Sequence, residues 1–148
     1  MLYPIVKFGD PVLEKLAAPI TVFDDELRKL VEDMFESMYA AHGVGLAAPQ
    51  IGISKRVAVI DVSFKEDPGA KIVLINPEII HTEGRLTSNE GCLSLPEFRE
   101  KVTRPRSVTR STTLPRQRSA VSTALITAGI DPVWPTMSGF AKLTTQKA

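Results

Sequence analysis

The stretch Gly-Val-Gly-Leu-Ala-Ala-Pro-Gln at residues 43–50 says more about the fold than any other part of this 148-residue chain. Two glycines one residue apart allow the backbone to approach a ligand closely, and the amide of Gln50 can donate a hydrogen bond to an oxyanion. The alternative is a loop that only turns the chain from a helix into a strand, because the pattern lacks the preceding strand and following helix of a dinucleotide site. The full string is far more specific than an isolated Gly-x-Gly.

The residues before this stretch predict a helix. Apolar side chains recur there at intervals of three and four, which places one apolar stripe on a helical face. Asp24 or Asp25 can cap the start of the helix, and Gly43 is expected to end it in the left-handed conformation. The stripe consists of Leu27, Leu30, Val31, Met34 and Met38.

The residues on either side of residues 43–50 predict extended structure. Residues 5–8 read as an extended segment, and the β-branched runs at residues 56–62 and 71–76 read as two strands. A third strand is expected before Asn89 and a fourth over residues 100–109. The predicted fold is therefore α+β, with a mostly antiparallel sheet packed on a helix.

Composition limits the class of protein. A net charge of +1 and a pI near 7.9 give no reason to expect a nucleic-acid partner, and no apolar run approaches the ~20 residues that span a bilayer. The start of the chain lacks the features of a signal peptide, so a cytoplasmic location is expected. One cysteine cannot form an internal disulfide, and Cys92 is therefore a small buried hydrophobe, a reactive thiol or a metal ligand.

A second motif, Glu-Gly-Cys-Leu-Ser-Leu-Pro at residues 90–96, resembles the second signature of the peptide deformylases, and residues 43–50 resemble the first. Ile-Asn-Pro-Glu at residues 75–78 is also typical of that family, and the resemblance covers residues 1–108. It implies a deformylase-like fold, truncated here at the C-terminal metal-binding helix. It also implies removal of the N-formyl group from the initiator methionine, with N-formyl-Met peptides and ribosome-associated nascent chains as partners.

The resemblance also implies roles for individual residues. Cys92 would be a ligand of Fe(II) or of a substitute such as Zn or Ni, and Gln50 and Leu93 would donate hydrogen bonds to the oxyanion. Gly45 would hydrogen-bond the main chain of the peptide. Arg99 matches an arginine near the substrate, although a solvated charge on a strand is an equal alternative. The implied substrate-binding residues are Gly43, Val44, Gly45, Gly91 and Arg99.

The third motif of the family, His-Glu-x-x-His, is absent from these residues. The only histidines are His42 and His81, neither is followed by Glu, and surface positions are expected for both. Deformylation needs three protein ligands, an open coordination position and a general acid or base. This chain shows one ligand, so we expect an inactive relative that at most binds peptides; the alternative is an active metallohydrolase with unrecognised ligands. Without that helix, Leu46, Ile60 and Leu95 are expected to lose apolar cover.

Composition changes near Thr109. From there to the end the chain holds five basic residues and one acid, Asp131, and many Ser and Thr, without a helical or alternating apolar period. Residues 109–114 can be encoded so that the shifted frame reads His-Glu-Ile-Asp-His-Leu, the missing motif. We therefore interpret residues 1–108 as a deformylase-like domain and residues 109–148 as a divergent tail, produced by a deletion with a frame change or else unrelated and native.

Overall fold

The computed structural model describes residues 1–113 and the strand backbones at residues 119–125 and 143–144. Helix α1 spans Asp25–Ala40, and the Asp24 side chain accepts a hydrogen bond from the Leu27 N–H at 2.9 Å. Met34 and Met38 are fully buried, so the helix and its apolar stripe are confirmed. No helix in the described part of the chain is long and apolar enough to cross a membrane.

The end of α1 differs from the prediction. His42, not Gly43, takes the left-handed conformation, with φ of 55°, and the Gly43 N–H donates to the Met38 carbonyl at 2.9 Å. This is the six-to-one bond of a Schellman motif. Glycine at 43 meets a different need, because a Cβ atom there would lie 2.7 Å from Leu93 Cδ1. The residue permits close approach of Leu93 rather than an unusual backbone angle.

The first sheet has three antiparallel strands in the order β1–β2–β3. β1 spans Gly45–Ala47, β2 spans Val57–Ile60 and β3 spans Ile72–Ile75. The two predicted β-branched strands are thus confirmed, with shorter ends. Residues 43–50 are more than a connecting loop, because they include β1 and the start of a short 3-10 helix, Ala48–Ile51.

Helix α1 packs on this sheet and encloses the main core. Leu46 and Ile60 are 0% and 1% exposed, so the expectation that they would lose apolar cover is wrong. Leu46 is enclosed with Met34 and Met38 of α1, whereas Ile60 forms a second cluster with Leu74. These contacts come from the helix and from the neighbouring strand, which are both present. Leu95, in contrast, is only partly buried.

The remaining strands form a hairpin and a second sheet. The hairpin pairs β5 with β6, and the sheet has the order β4–β7–β8–β9, all antiparallel. Two further short 3-10 helices lie at Pro11–Leu13 and Pro68–Ala70. The strands span Glu78–Glu83 (β4), Leu86–Cys92 (β5), Leu95–Arg104 (β6), Ser107–Thr113 (β7), Ser119–Leu125 (β8) and Leu143–Thr144 (β9).

Three strand predictions need correction. The predicted strand over residues 100–109 is two strands, β6 and β7, because Pro105 lacks the N–H that a continuous ladder requires. Asn89 lies inside β5 instead of following a strand. The predicted end of that strand at Thr109 is also wrong, because β7 continues to Thr113, across the predicted boundary, and pairs with β8. Backbone pairing needs no apolar periodicity, and the threonines of this segment suit strands. The rest of the tail lies outside the described residues.

Strand β7 buries polar side chains. Ser107, Arg110 and Thr112 are only 7%, 4% and 7% exposed. Thr112 is satisfied, because its hydroxyl donates to the Ile75 carbonyl and accepts from the Ile75 N–H, each at 2.9 Å. Arg110 Nε has no hydrogen-bond partner within the described structure, and burial lowers the pKa of its guanidinium. Among the described residues, Arg110 is therefore a buried guanidinium with an unpaired N–H.

Asp61 lies fully buried at the end of β2 and organises the loop that follows. Its carboxylate accepts hydrogen bonds from the Tyr39 hydroxyl, from the Ser63 N–H and Oγ at 2.8 and 2.7 Å, and from the Lys65 N–H at 3.2 Å. Burial alone would raise the pKa of Asp61, but these hydrogen bonds lower it below the ordinary value. The ionised carboxylate is therefore stabilised in the folded state.

We expect Tyr39→Phe to lower the free energy of unfolding by about 1 kcal/mol at pH 7, because it removes one hydrogen bond to this carboxylate. The contribution of a carboxylate with a lowered pKa is present above its unfolded pKa, near ~4, and is lost as pH falls through the lower folded value. Urea unfolding at pH 7 and near pH 3 should show that the difference in unfolding free energy between wild type and Tyr39→Phe is smaller in acid. Tyr3→Phe is the control, and an equal loss at both pH values would contradict this role.

Candidate functional site

The two motifs predicted from the sequence meet at Gln50. Its side chain is 7% exposed, and its Oε1 accepts a hydrogen bond from the Ala47 N–H at 3.0 Å. This bond turns the amide nitrogen toward the second motif, where Nε2 lies 3.8 Å from Cys92 Sγ and 3.4 Å from Ser94 Oγ. The donor of Gln50 therefore faces the turn that carries the cysteine.

Cys92 is the last residue of β5, and the turn to β6 brings Leu93 back against the first motif. The hairpin register shifts between Gly91 and Cys92, and Cys92 is half-buried. Leu93 packs where Gly43 has no side chain, so a residue with a Cβ at 43 would force Leu93 to move. The structure thus brings together three of the predicted site residues, Gln50, Cys92 and Leu93, with Gly43 beside them.

Glu90 of the second motif is held by an arginine. Arg104 donates from Nε and Nη2 to the two carboxylate oxygens of Glu90, at 2.7 and 2.8 Å, and the Glu90 side chain is only 5% exposed. The hydrogen bonds to Glu90 raise the pKa of the Arg104 guanidinium. This bidentate pair joins the two strands of the hairpin.

The other predicted substrate-binding residues lie on the surrounding strands. Gly45 pairs with Ile60 in β1, which is the edge strand of its sheet in the described structure. Val44 is fully buried, and its carbonyl accepts from the Asp61 N–H at 2.8 Å. Arg99 lies opposite Gly91 in the hairpin and is exposed, and its side chain forms no hydrogen bond or ion pair with any residue whose placement is described.

Sequence reasoning missed several contributors to this site. Ser94 is 3% exposed and faces Gln50, and its position directly after Cys92 and Leu93 was the only available signal. Arg104 was missed because a strand arginine usually reads as a solvated charge. The N-terminal residues were also missed, because their contacts with the motifs are distant in sequence.

The donor set does not fit a metal centre of three protein ligands. Among residues 1–113, no group of three or more His, Cys, Asp or Glu side chains is arranged to hold a metal ion. His42 follows the last turn of α1, His81 lies in β4, and both are exposed, as expected for surface histidines. Cys92 is therefore a single thiol donor beside an amide and a hydroxyl, which are poor ligands for Fe(II) or Zn.

Comparison with known proteins gives a consistent family. The sequence profile of the polypeptide deformylases matches residues 2–124. A peptide deformylase of Acidobacterium capsulatum is 69% identical over 109 residues, which cover 74% of this chain and 64% of that protein. The chain thus spans less than two thirds of the length of this relative.

Solved structures agree with the sequence match. The crystal structure of a Legionella pneumophila peptide deformylase superposes with a TM-score of 0.79 at 39% identity, covering 84% of this chain and 73% of that one. The Met-Ala-Ser-bound structure of a class I type b peptide deformylase from Acinetobacter baumannii gives a TM-score of 0.76 at 29% identity, covering 84% of each chain. Because the family profile matches most of its length and its fold superposes on these structures, this chain belongs to the peptide deformylase family.

Proposed function

We propose that this chain retains the peptide-binding part of a deformylase site and does not catalyse deformylation. The observation that carries the proposal is the Gln50 amide, oriented by Ala47 and facing the Cys92 turn, in a site whose described residues supply one thiol and no histidine or glutamate partner. The ligand class is a peptide with an N-formyl-methionine end. The alternative is an active hydrolase that completes its site with residues we have not assigned.

The retained groups can bind and orient a formyl-peptide. As the edge strand of its sheet in the described structure, β1 could take an extended peptide as an additional strand, with Gly45 bonding to its main chain. The formyl oxygen would then accept hydrogen bonds from Gln50 Nε2 and from the Leu93 N–H. Gly43, Val44 and Gly91 would shape the same groove through their backbones, and Arg99 would lie at its rim.

Catalysis requires more than these donors. In the family a divalent metal, Fe(II) or a substitute such as Zn or Ni, supplies the hydroxide nucleophile. Cys92 alone would hold such an ion weakly, because tight sites use three or more protein ligands. Positioning and oxyanion stabilisation lower a barrier only when a nucleophile is available. The described residues therefore supply recognition without the groups that create hydroxide at neutral pH.

The domain boundaries and the cellular location are part of the same proposal. We place the deformylase-like domain at residues 1–108 and the divergent tail at residues 109–148, supported by the change in composition near Thr109. A cytoplasmic location and nascent chains as the source of formyl-peptides are the settings that suit this recognition.

Peptide binding can be tested directly with isotope-labelled protein. Titration with N-formyl-Met-Ala-Ser should shift the amide signals of Gly45 and Leu93 and the side-chain NH₂ signals of Gln50. Gln50→Ala should weaken binding about ten-fold, because a hydrogen bond to the formyl oxygen is lost. Asn89→Ala is the control, since Asn89 is an exposed amide on the hairpin that carries Cys92. The proposal would be contradicted if the peptide caused no shifts, or if Gln50→Ala and Asn89→Ala lost the same affinity.

A further inference from the structure

The N-terminal residues 6–8 hydrogen-bond both motifs at once. The Val6 N–H donates to the Gln50 carbonyl at 2.8 Å, and the Phe8 N–H donates to the Ser94 carbonyl at 2.8 Å. Between them, Lys7 Nζ donates to the Leu93 carbonyl at 3.1 Å. One short segment therefore contacts the first motif at one end and the cysteine turn at the other.

The spacing of these contacts follows from extended backbone geometry. In an extended segment the N–H groups of residues i and i+2 point to the same side, so Val6 and Phe8 present their donors along one edge. The Phe8 side chain is 75% exposed and Lys7 is exposed, so neither side chain serves the core. The segment ends in a turn in which the Asp10 N–H donates to the Lys7 carbonyl at 3.2 Å. Gly9, within this turn, has a φ of 97°.

The direct links between the two motifs are weaker than this bridge. Gln50 Nε2 lies 3.4 Å from Ser94 Oγ and 3.8 Å from Cys92 Sγ, both long for hydrogen bonds. The backbone bonds from Val6 and Phe8 are at the ordinary length for an N–H donor. Among the hydrogen bonds that link the motifs, those through the N-terminal segment are therefore the stronger.

We propose that residues 6–8 are a positioning segment, which holds the Gln50 amide and the Leu93 N–H at the separation that a formyl oxygen requires. Lys7 is a positioning residue within it, because its ammonium group orients the peptide plane that follows Leu93. The inference rests on the proposed binding of formyl-peptides by Gln50 and Leu93. The segment itself touches no substrate atom in this arrangement.

The first test removes one backbone donor. Phe8→Pro deletes the N–H that reaches Ser94, whereas Phe8→Ala removes the same exposed ring and keeps the N–H. In the free protein, Phe8→Pro should shift the ¹³C resonance of the Ser94 carbonyl, and Phe8→Ala should not. Affinity for N-formyl-Met-Ala-Ser should fall about five-fold in Phe8→Pro, with affinity for Met-Ala-Ser unchanged, because only the former carries the formyl oxygen.

The second test changes a side chain and needs no backbone substitution, so it remains valid if the proline variant fails to fold. Lys7→Met should shift the Leu93 carbonyl resonance. It should also lower the preference for the formylated peptide about two- to three-fold, a small factor because the lost donor is exposed to solvent. Lys7→Arg should restore both, and Lys15→Met should change neither, because Lys15 is exposed and its side chain forms no hydrogen bond or ion pair with the described residues.

The outcomes separate the two proposals. If wild-type protein binds neither peptide, the proposed function fails, while the carbonyl resonances still decide whether the segment orients Leu93 and Ser94. If Phe8→Pro matches Phe8→Ala and Lys7→Met matches wild type in the carbonyl resonances, the positioning segment is overturned. If the resonances shift but the formyl preference does not, the segment is structural and the proposal is likewise overturned.

Discussion

The purified chain is expected to show no hydrolysis of N-formyl-Met-Ala-Ser above the background rate, with or without added Fe(II), Ni(II) or Co(II). Gln50 and Leu93 can orient the formyl group, but orientation alone does not generate hydroxide from bulk water at neutral pH. The described residues offer one thiol, Cys92, and the only two histidines, His42 and His81, are exposed on separate elements. The described residues therefore supply neither a set of metal ligands that would generate the nucleophile nor a proton acceptor for it. Formate release measured over hours would detect residual turnover.

Reconstruction provides the positive control for this prediction. Placing the family's strands and His-Glu-x-x-His helix after Val108 should recover metal-dependent activity, and Cys92→Ala should abolish the recovered activity. The unmodified chain should contain far less than one equivalent of Fe, Ni or Zn. Robust metal-dependent deformylation by the unmodified chain would show that the ligands have been misjudged, and His42 and His81 would be the first residues to mutate.

Arg110→Val is expected to stabilise the protein, raising the free energy of unfolding by about 1 to 3 kcal/mol. Arg110 is 4% exposed, its Nε has no partner within the described structure, and it lies opposite Ile79 in the β4–β7 ladder. Burial of an uncompensated cation is costly, as the lowered pKa of Arg110 also indicates. Valine removes that cost and suits a strand. Urea denaturation with an unchanged slope would measure the gain.

The matched control is the other strand arginine with a known environment, Arg104. Arg104→Val removes the guanidinium that binds both oxygens of the buried Glu90, so it should destabilise the protein by about 1 to 3 kcal/mol. The two substitutions are expected to change the free energy of unfolding in opposite directions. Destabilisation by both would mean that the Arg110 guanidinium has favourable polar contacts in the native protein. The buried polar side chains of β7 would then stabilise the fold.

The stability of Arg110→Val also bears on the origin of the tail. A buried cation directly after Val108 is what a change of reading frame would produce, because the new residues would not have been selected for a strand interior. Sequencing of the coding DNA beyond codon 108, read in all three frames, separates a frame change from a native tail. A His-Glu-x-x-His reading in another frame with a continuous family match would support the former.

Local sequence signals were sufficient for the helix and the central strands. The apolar spacing from Leu27 to Met38 and the Asp24 cap predicted α1, and the β-branched runs predicted β2 and β3. Prediction failed where the outcome depended on neighbours distant in sequence. Gly43 was assigned a left-handed angle that His42 takes, because the reason for glycine is contact with Leu93, which is not a local property.

The sequence by itself determined the family, the helix and the central strands, because motif identity and apolar period are encoded in order along the chain. It also predicted which residues a deformylase site would use. Only the tertiary structure decided how the side chains of those residues are oriented. The Gln50 amide faces Cys92 because Ala47 holds its oxygen, Glu90 is engaged by Arg104, and residues 6–8 bridge the two motifs. Each of these is a hydrogen bond whose strength depends on distance and angle, and those are set only when separate segments pack against one another.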